Sequence, residues 1–280
     1  MYKIFTDFNG FSKDVQEAGL KIDIEELTLL NHNFLQTYNH FTILSVVDYD
    51  KEPSNIIVLS PKNTFLYTKK IIDKQRLKQF NNVLDKKHGD STVMAFLVLQ
   101  SVLNNYKFEF EEIRNHLIKL EETLEINKIE EEGIRLRKLI DRLEDFVDIV
   151  IKLEERDLAE FDSKIIKYDY NILTTESKYW LERCRSNMYR IASLRTKCDI
   201  KSNSELNERI TKLTVIMTFL TITSIVIAIP GTIGAIFGIP ALSNAYFEGH
   251  NFLLVSTLII ATLLSVLFGY IYWKGLKLKV

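Results

Sequence analysis

The chain has 280 residues, a formal net charge of -1 and 26% charged side chains, so it carries no basic excess of the kind that neutralises a nucleic acid backbone. Its 46% hydrophobic content excludes a disordered chain, and the length allows one or two soluble domains. Two cysteines, Cys184 and Cys198, exclude a disulfide scaffold and fit a reducing compartment.

Met1 to Asp14 carries charges and has no long apolar core, so no signal peptide is expected there. Residues 1 to about 70 read as strands with a helix between them. Phe41 to Val47, Ile56 to Leu59 and Thr64 to Thr68 are rich in β-branched and aromatic residues, and Pro53 and Pro61 punctuate them. A short helix is open between Asp14 and Leu30. Asp73 to Lys87 reads as a charged amphipathic helix that stops near Gly89, a C-terminal cap.

From Ser91 the pattern turns helical. Ser91 to Tyr106 is apolar on most sides and is expected to pack on the sheet. Glu109 to Glu132 is strongly acidic, with leucines at Leu117, Leu120 and Leu124. Leu136, Leu139, Leu143, Phe146, Val150 and Leu153 then keep the three-and-four spacing of a helix seam. Such charge density reads as a solvated, ion-paired surface or as a face that gathers cations. Tyr170 to Lys212 contains no Pro or Gly, and Trp180, Cys184, Met188, Ile191 and Cys198 form a helical stripe. One helix from about residue 170 to near Phe237 is predicted. Two cysteines 14 residues apart on it stand about 21 Å apart, too far to bridge, and read as buried thiols.

After Lys212 no charged side chain appears until Glu248, and after His250 none appears until Lys274. The two apolar stretches each reach the roughly 20 residues a membrane-crossing helix needs. Arg209 and Lys212 precede the first; Lys274, Lys277 and Lys279 follow the second; the link between holds no Lys or Arg. The positive-inside rule then places both termini in the cytoplasm and the link outside, with Tyr270, Tyr272 and Trp273 at the inner interface. The reading is an α+β cytoplasmic domain, a long stalk helix and two C-terminal transmembrane helices, mostly α overall. Its divisions are 1–168 for the α/β domain with a helical hairpin, 169–212 stalk, 213–237 first span, 238–250 outer link, 251–273 second span and 274–280 basic tail.

On the first span, Asn207, Ile210, Thr214, Met217, Thr221, Ser224, Ala228, Gly231 and Ala235 recur at spacings of three and four. Apart from Ile210 and Met217 they are small or polar. Polar groups in a span cost free energy unless they face protein or water, so this stripe should turn from lipid. It either lets helices pack closely, as the GxxxG spacing of Gly234 and Gly238 would, or lines a conduit that Met217 closes by dewetting. Pro230 interrupts the backbone ladder near its end.

Leu206-Asn207-Glu208-Arg209-Ile210-Thr211-Lys212-Leu213-Thr214 and Ile229-Pro230-Gly231-Thr232-Ile233-Gly234-Ala235-Ile236-Phe237-Gly238 resemble the entry and outer approach of the pore helix in the CorA-type divalent-cation transporters. The architecture of the whole chain is similar to that family. The family's Gly-Met-Asn at the outer mouth reads Gly238-Ile239-Pro240 here, so the Asn ring is lost; Asn244 is a substitute, and Glu248 corresponds to the acidic residue of the link. Counting back from Gly238 puts Thr214 at the family's inner Asn, whereas matching the Asn selects Asn207; both choose the same stripe. The resemblance implies a homopentamer that moves hydrated divalent cations, Mg²⁺ by default, with Co²⁺, Ni²⁺ and Zn²⁺ as related ions. It also implies gating by cations at acidic cytoplasmic interfaces, for which Glu130, Glu131 and Glu132 are the candidates. No catalytic motif is present and no further cofactor is implied. A non-conducting, membrane-anchored sensor or scaffold is the alternative function.

Overall fold

The computed structural model describes residues 1–20, 24, 32–49, 55–69, 74–155, 158, 160–238 and 251–277. These divide into two compact units, Met1–Cys198 and Asp199–Val280. The expected short helix between Asp14 and Leu30 falls partly outside the described residues, as do Pro53 and the outer link from Ile239 to His250.

The first unit is built on a five-stranded sheet. Its strands are β1 (Tyr2–Phe5), β2 (Phe34–Tyr38), β3 (Phe41–Val46), β4 (Asn55–Leu59) and β5 (Thr64–Tyr67), in the order β1-β5-β4-β3-β2. Only the β1–β5 pair is parallel. The three central strands lie at the positions expected from their β-branched runs. The two edge strands lack such a signal in the sequence: β1 is mostly exposed and β2 only half-buried, so neither shows an apolar run.

Period-two alternation sends side chains to two faces. Ile43, Ile56, Val58, Phe65 and Tyr67 face α1 (Phe8–Glu17), which contributes Phe11 and Val15. Leu44, Val46, Ile57, Leu59 and Leu66 join the larger core formed by the helices. Because both faces are covered, β4 is buried at every residue.

The expected helix over Asp73–Lys87 is two short pieces, α2 (Lys74–Gln79) and α3 (Asn81–Leu84). The break is at Phe80, whose ring packs edge-on against Phe96 at 5.7 Å and so follows the core rather than the helix surface. Gly89 does not cap that segment. It opens α4 (Gly89–Thr123), and the position requires glycine because a β-carbon there would lie 1.9 Å from the Val83 carbonyl oxygen.

α4 turns back at Leu124, which adopts a left-handed φ of 53° and donates its N–H to the Leu120 carbonyl. α5 (Ile126–Glu155) then runs against α4, with Leu136, Leu139, Leu143, Phe146, Val150 and Leu153 all buried. α6 (Lys167–Phe237) is a single helix of 71 residues containing Pro230. Within the first unit it buries Leu173, Cys184, Ile191, Leu194 and Cys198, so the cysteines are free, buried thiols. Arg185–Glu144, Arg190–Glu121 and Lys107–Glu176 ion pairs tie this part of α6 to α4 and α5.

In the second unit, residues of α6 from Asp199 onward pack with α7 (Asn251–Lys277). Both helices carry stretches long and apolar enough to cross a membrane, and none of the residues in the most apolar part of the first and 6% of those in the second are buried within the chain. An apolar surface of that extent has no counterpart on a water-soluble unit, and the architecture is that of a membrane protein.

Candidate functional site

Within the second unit, α7 covers one side of α6. Gly269 lies against Ile222 and Val226, Leu258 against Gly234, and Trp273 meets Phe219 edge-on at 5.8 Å. Ser265, 4% exposed, sits in the same seam and donates its hydroxyl to the Ala261 carbonyl. Ser265 and Gly269 form a small-residue pair one turn apart, the spacing that lets helix backbones approach. The sequence carries one signal for it, the four-residue spacing of Ser265 and Gly269.

The predicted stripe lies elsewhere. At about 100° per residue, Asn207, Ile210, Thr214, Met217, Thr221, Ser224, Ala228, Gly231 and Ala235 centre on roughly the opposite side of α6 from Phe219, Ile222 and Val226. Every one of the nine is exposed. The stripe is therefore not the close-packed seam between the two helices, although its Thr214, Met217 and Thr221 line a groove whose far wall is Phe268 and Tyr272 of α7.

The hydroxyl chemistry of this side follows from the helix. Thr214 donates to the Ile210 carbonyl at 2.9 Å and Thr221 to the Met217 carbonyl at 2.9 Å. Thr211, Thr218 and Thr232 do the same one turn back along the helix. With its proton committed to the backbone, each hydroxyl oxygen presents only lone pairs outward. Waters around a cation turn their hydrogens outward, so such oxygens suit a hydrated cation without displacing its waters.

Where the apolar stretch of α6 begins, Lys212 pairs with Glu208 at 2.6 Å, one turn apart. At the other end Gly238 closes α6 by donating its N–H to the Gly234 carbonyl at 2.9 Å. The remaining candidates for the mouth, Ile239, Pro240, Asn244 and Glu248, lie outside the described residues.

The three regulatory candidates on α5 do not converge. Glu132 is 7% exposed and meets Arg135 at 3.1 Å and His116 Nδ1 at 2.9 Å. Glu130 is exposed and lies 3.6 Å from Arg195, and Glu131 is exposed. Arg135 also reaches Glu109 at 2.6 Å and Glu112 at 3.4 Å. Burial opposes its charge, but the bonds to Glu109 and the field of Glu132 outweigh it and hold the guanidinium protonated. The sequence showed the acidic density but not this inward grouping, which needs α4 and α5 side by side. Among the described residues, no three or more His, Cys, Asp or Glu side chains are arranged to hold a metal ion.

No protein-family model matches the sequence, and no curated protein matches it. Among solved structures, the complete CorA magnesium transporter from Methanocaldococcus jannaschii matches with a TM-score of 0.61 at 14% identity, over 95% of this chain and 88% of that one. The chain has the CorA-type fold. The full-length CmaX protein shares it with a TM-score of 0.64 at 14% identity, over 99% of this chain and 88% of that one. The ZntB cytoplasmic domain from Vibrio parahaemolyticus matches 72% of this chain and 88% of its own length, with a TM-score of 0.55 at 7% identity. In this CorA-type fold the likeness extends through the apolar helices as well as the α+β unit.

Proposed function

We propose that the chain is one subunit of a divalent-cation channel or transporter. Copies of the first span of α6 stand around a central passage with the hydroxyl stripe turned inward, as a homopentamer in the cell membrane. Both termini lie in the cytoplasm and the link lies outside, following the basic residues at Arg209, Lys212 and Lys274. The cargo is hydrated Mg²⁺ or a related ion such as Co²⁺, Ni²⁺ or Zn²⁺. The observation that carries this reading is the exposed stripe: α7 packs closely on the far side of α6, and the exposed side bears acceptor oxygens. A magnesium transporter of the same fold supports it.

Regulation by cytoplasmic cations is assigned to the acidic face of α5. Glu130 and Glu131 are exposed for contacts with a neighbouring subunit, while Glu132 is already held by Arg135. Neutralising all three should weaken inhibition of flux by cytoplasmic cation, and an unchanged dose response removes this assignment.

The deciding experiment is flux into liposomes containing the purified chain. Mg²⁺, Co²⁺, Ni²⁺ or Zn²⁺ should enter down a gradient, and Thr221→Val or Ser224→Val should change the rate. A second reading, a non-conducting membrane-anchored sensor or scaffold, is favoured by Ile239-Pro240 after Gly238, which removes the side-chain amide from the outer mouth. Absence of flux for all four ions selects it.

A further inference from the structure

The threonines of the first span share a habit that its one serine does not. Thr214, Thr218, Thr221, Thr223 and Thr232 each donate to the carbonyl one turn back, at 2.8–2.9 Å. Ser224 is exposed on the stripe, and among the described residues its hydroxyl has no hydrogen-bond partner. The side chains account for the difference. The β-methyl of threonine restricts it to rotamers that lay Oγ1 against the preceding turn. Serine lacks that methyl, so its Oγ turns among staggered positions and can reach away from the helix. Its place on the helix matters as well. Ala228, Gly231 and Ala235, the stripe residues that follow, have no side-chain oxygen, and Ile239-Pro240 after Gly238 supplies no amide. Ser224 is therefore the last side-chain oxygen of the stripe, about 21 Å short of Gly238.

We propose that Ser224 sets which cation the passage prefers, by letting its hydroxyl take the place of one of the ion's waters. This rests on the transport reading above and names the residue that discriminates within it. Direct metal–oxygen contact is short, about 2.0–2.1 Å for Mg²⁺, so a wall oxygen must leave the helix surface to make it. The threonine oxygens are tethered to their own backbone and meet only the outer face of a hydration shell. The Ser224 oxygen is free to advance. An ion that holds its waters tightly gains little from the exchange, and Mg²⁺ sheds them reluctantly. Zn²⁺, which protein ligands readily bring down to four-coordination, gains more. The free hydroxyl thus tilts the passage toward Zn²⁺ relative to Mg²⁺, and a chain without it loses that tilt.

The test is influx of Mg²⁺ and Zn²⁺ from an equimolar mixture into liposomes holding the full chain, read as the Zn²⁺ to Mg²⁺ ratio. Ser224→Ala should lower the ratio by roughly threefold to tenfold, the worth of one contact of hydrogen-bond strength. Ser224→Thr should lower it as far: the hydroxyl stays, but its proton goes to the Leu220 carbonyl and its oxygen is drawn back. If one of these variants fails to fold, the other decides. Thr221→Ala should alter both rates and leave the ratio as it was. A parent-like ratio in the folded Ser224 variants, with flux present, overturns the assignment and leaves the transport reading standing. An equal fall in Thr221→Ala does the same, because the effect would then belong to any hydroxyl of the stripe. A parent that passes neither ion removes the transport reading and this inference with it.

Discussion

Gly269 lies so close to Ile222 that a β-carbon on the glycine would stand 3.0 Å from Ile222 Cγ2, and equally close to Val226 Cγ2. Both neighbours are β-branched and have little rotamer freedom in a helix, so they do not swing aside. Gly269→Leu should push α7 off α6, at an overpacking cost of about 1–3 kcal/mol. Thermal unfolding of the full chain in detergent should report a clear drop, with Gly269→Ala milder. Unchanged stability in Gly269→Leu would show that the seam is looser than described.

Gly89→Ala addresses the first unit. The added methyl would meet the Val83 carbonyl oxygen at 1.9 Å, and backbone cannot yield as a flexible side chain does. The α3–α4 junction must open, with a loss of about 2 kcal/mol or more. Faster amide exchange around Val83 and Asp90 would show the opening, and parent-like exchange would count against it.

Arg135→Met removes the cation that Glu109 and Glu132 share. Their side chains are 11% and 10% exposed, so two nearly buried carboxylates lose their shared cation, and Glu132 is left with His116. Removing one side of a buried pair costs on the order of 3–5 kcal/mol. Adding Glu109→Gln to Arg135→Met should recover part of the loss. No recovery would mean that packing of the arginine stem, rather than charge, sets the effect.

Alkali should unfold the first unit. Burial pushes the Cys184 thiol up to about 12 from 9.0, against the pull of Arg183. Its folded value exceeds its unfolded one, so the stabilisation is complete below pH 9 and is lost as pH rises toward about 12. The loss approaches about 1.4 kcal/mol per pH unit within that window. The phenols of Tyr106 and Tyr170, also raised by burial, add to the slope above pH 10. Cys184→Ala should flatten the decline between pH 9 and 10. A decline of the same steepness in that variant would place its origin elsewhere.

The sequence showed what periodicity controls and concealed what depends on particular contacts. The central strands, the seam from Leu136 to Leu153 and the helix through Cys184 are legible because one buried face imposes a repeat. β1 and β2 escape notice because edge strands bury too little to leave one. Gly89 reads as a stop because glycine commonly ends helices, whereas its place at the start of α4 reflects the close Val83 carbonyl, which no local pattern reveals. The turn at Leu124 carries neither Gly nor Pro, so nothing local announces it. The stripe on α6 was legible as a pattern, but its place outside the close-packed seam depends on the packing of Gly269.

In the proposed assembly, the bonds from Thr214 and Thr221 to their own helix carry a further consequence for any solute beside them. Chloride and other anions are solvated by hydrogen-bond donors, and a wall whose hydroxyl protons are already engaged offers them none. The sign of the permeant species would thus be chosen without a single formal charge along that stretch, by the direction in which a few O–H bonds point.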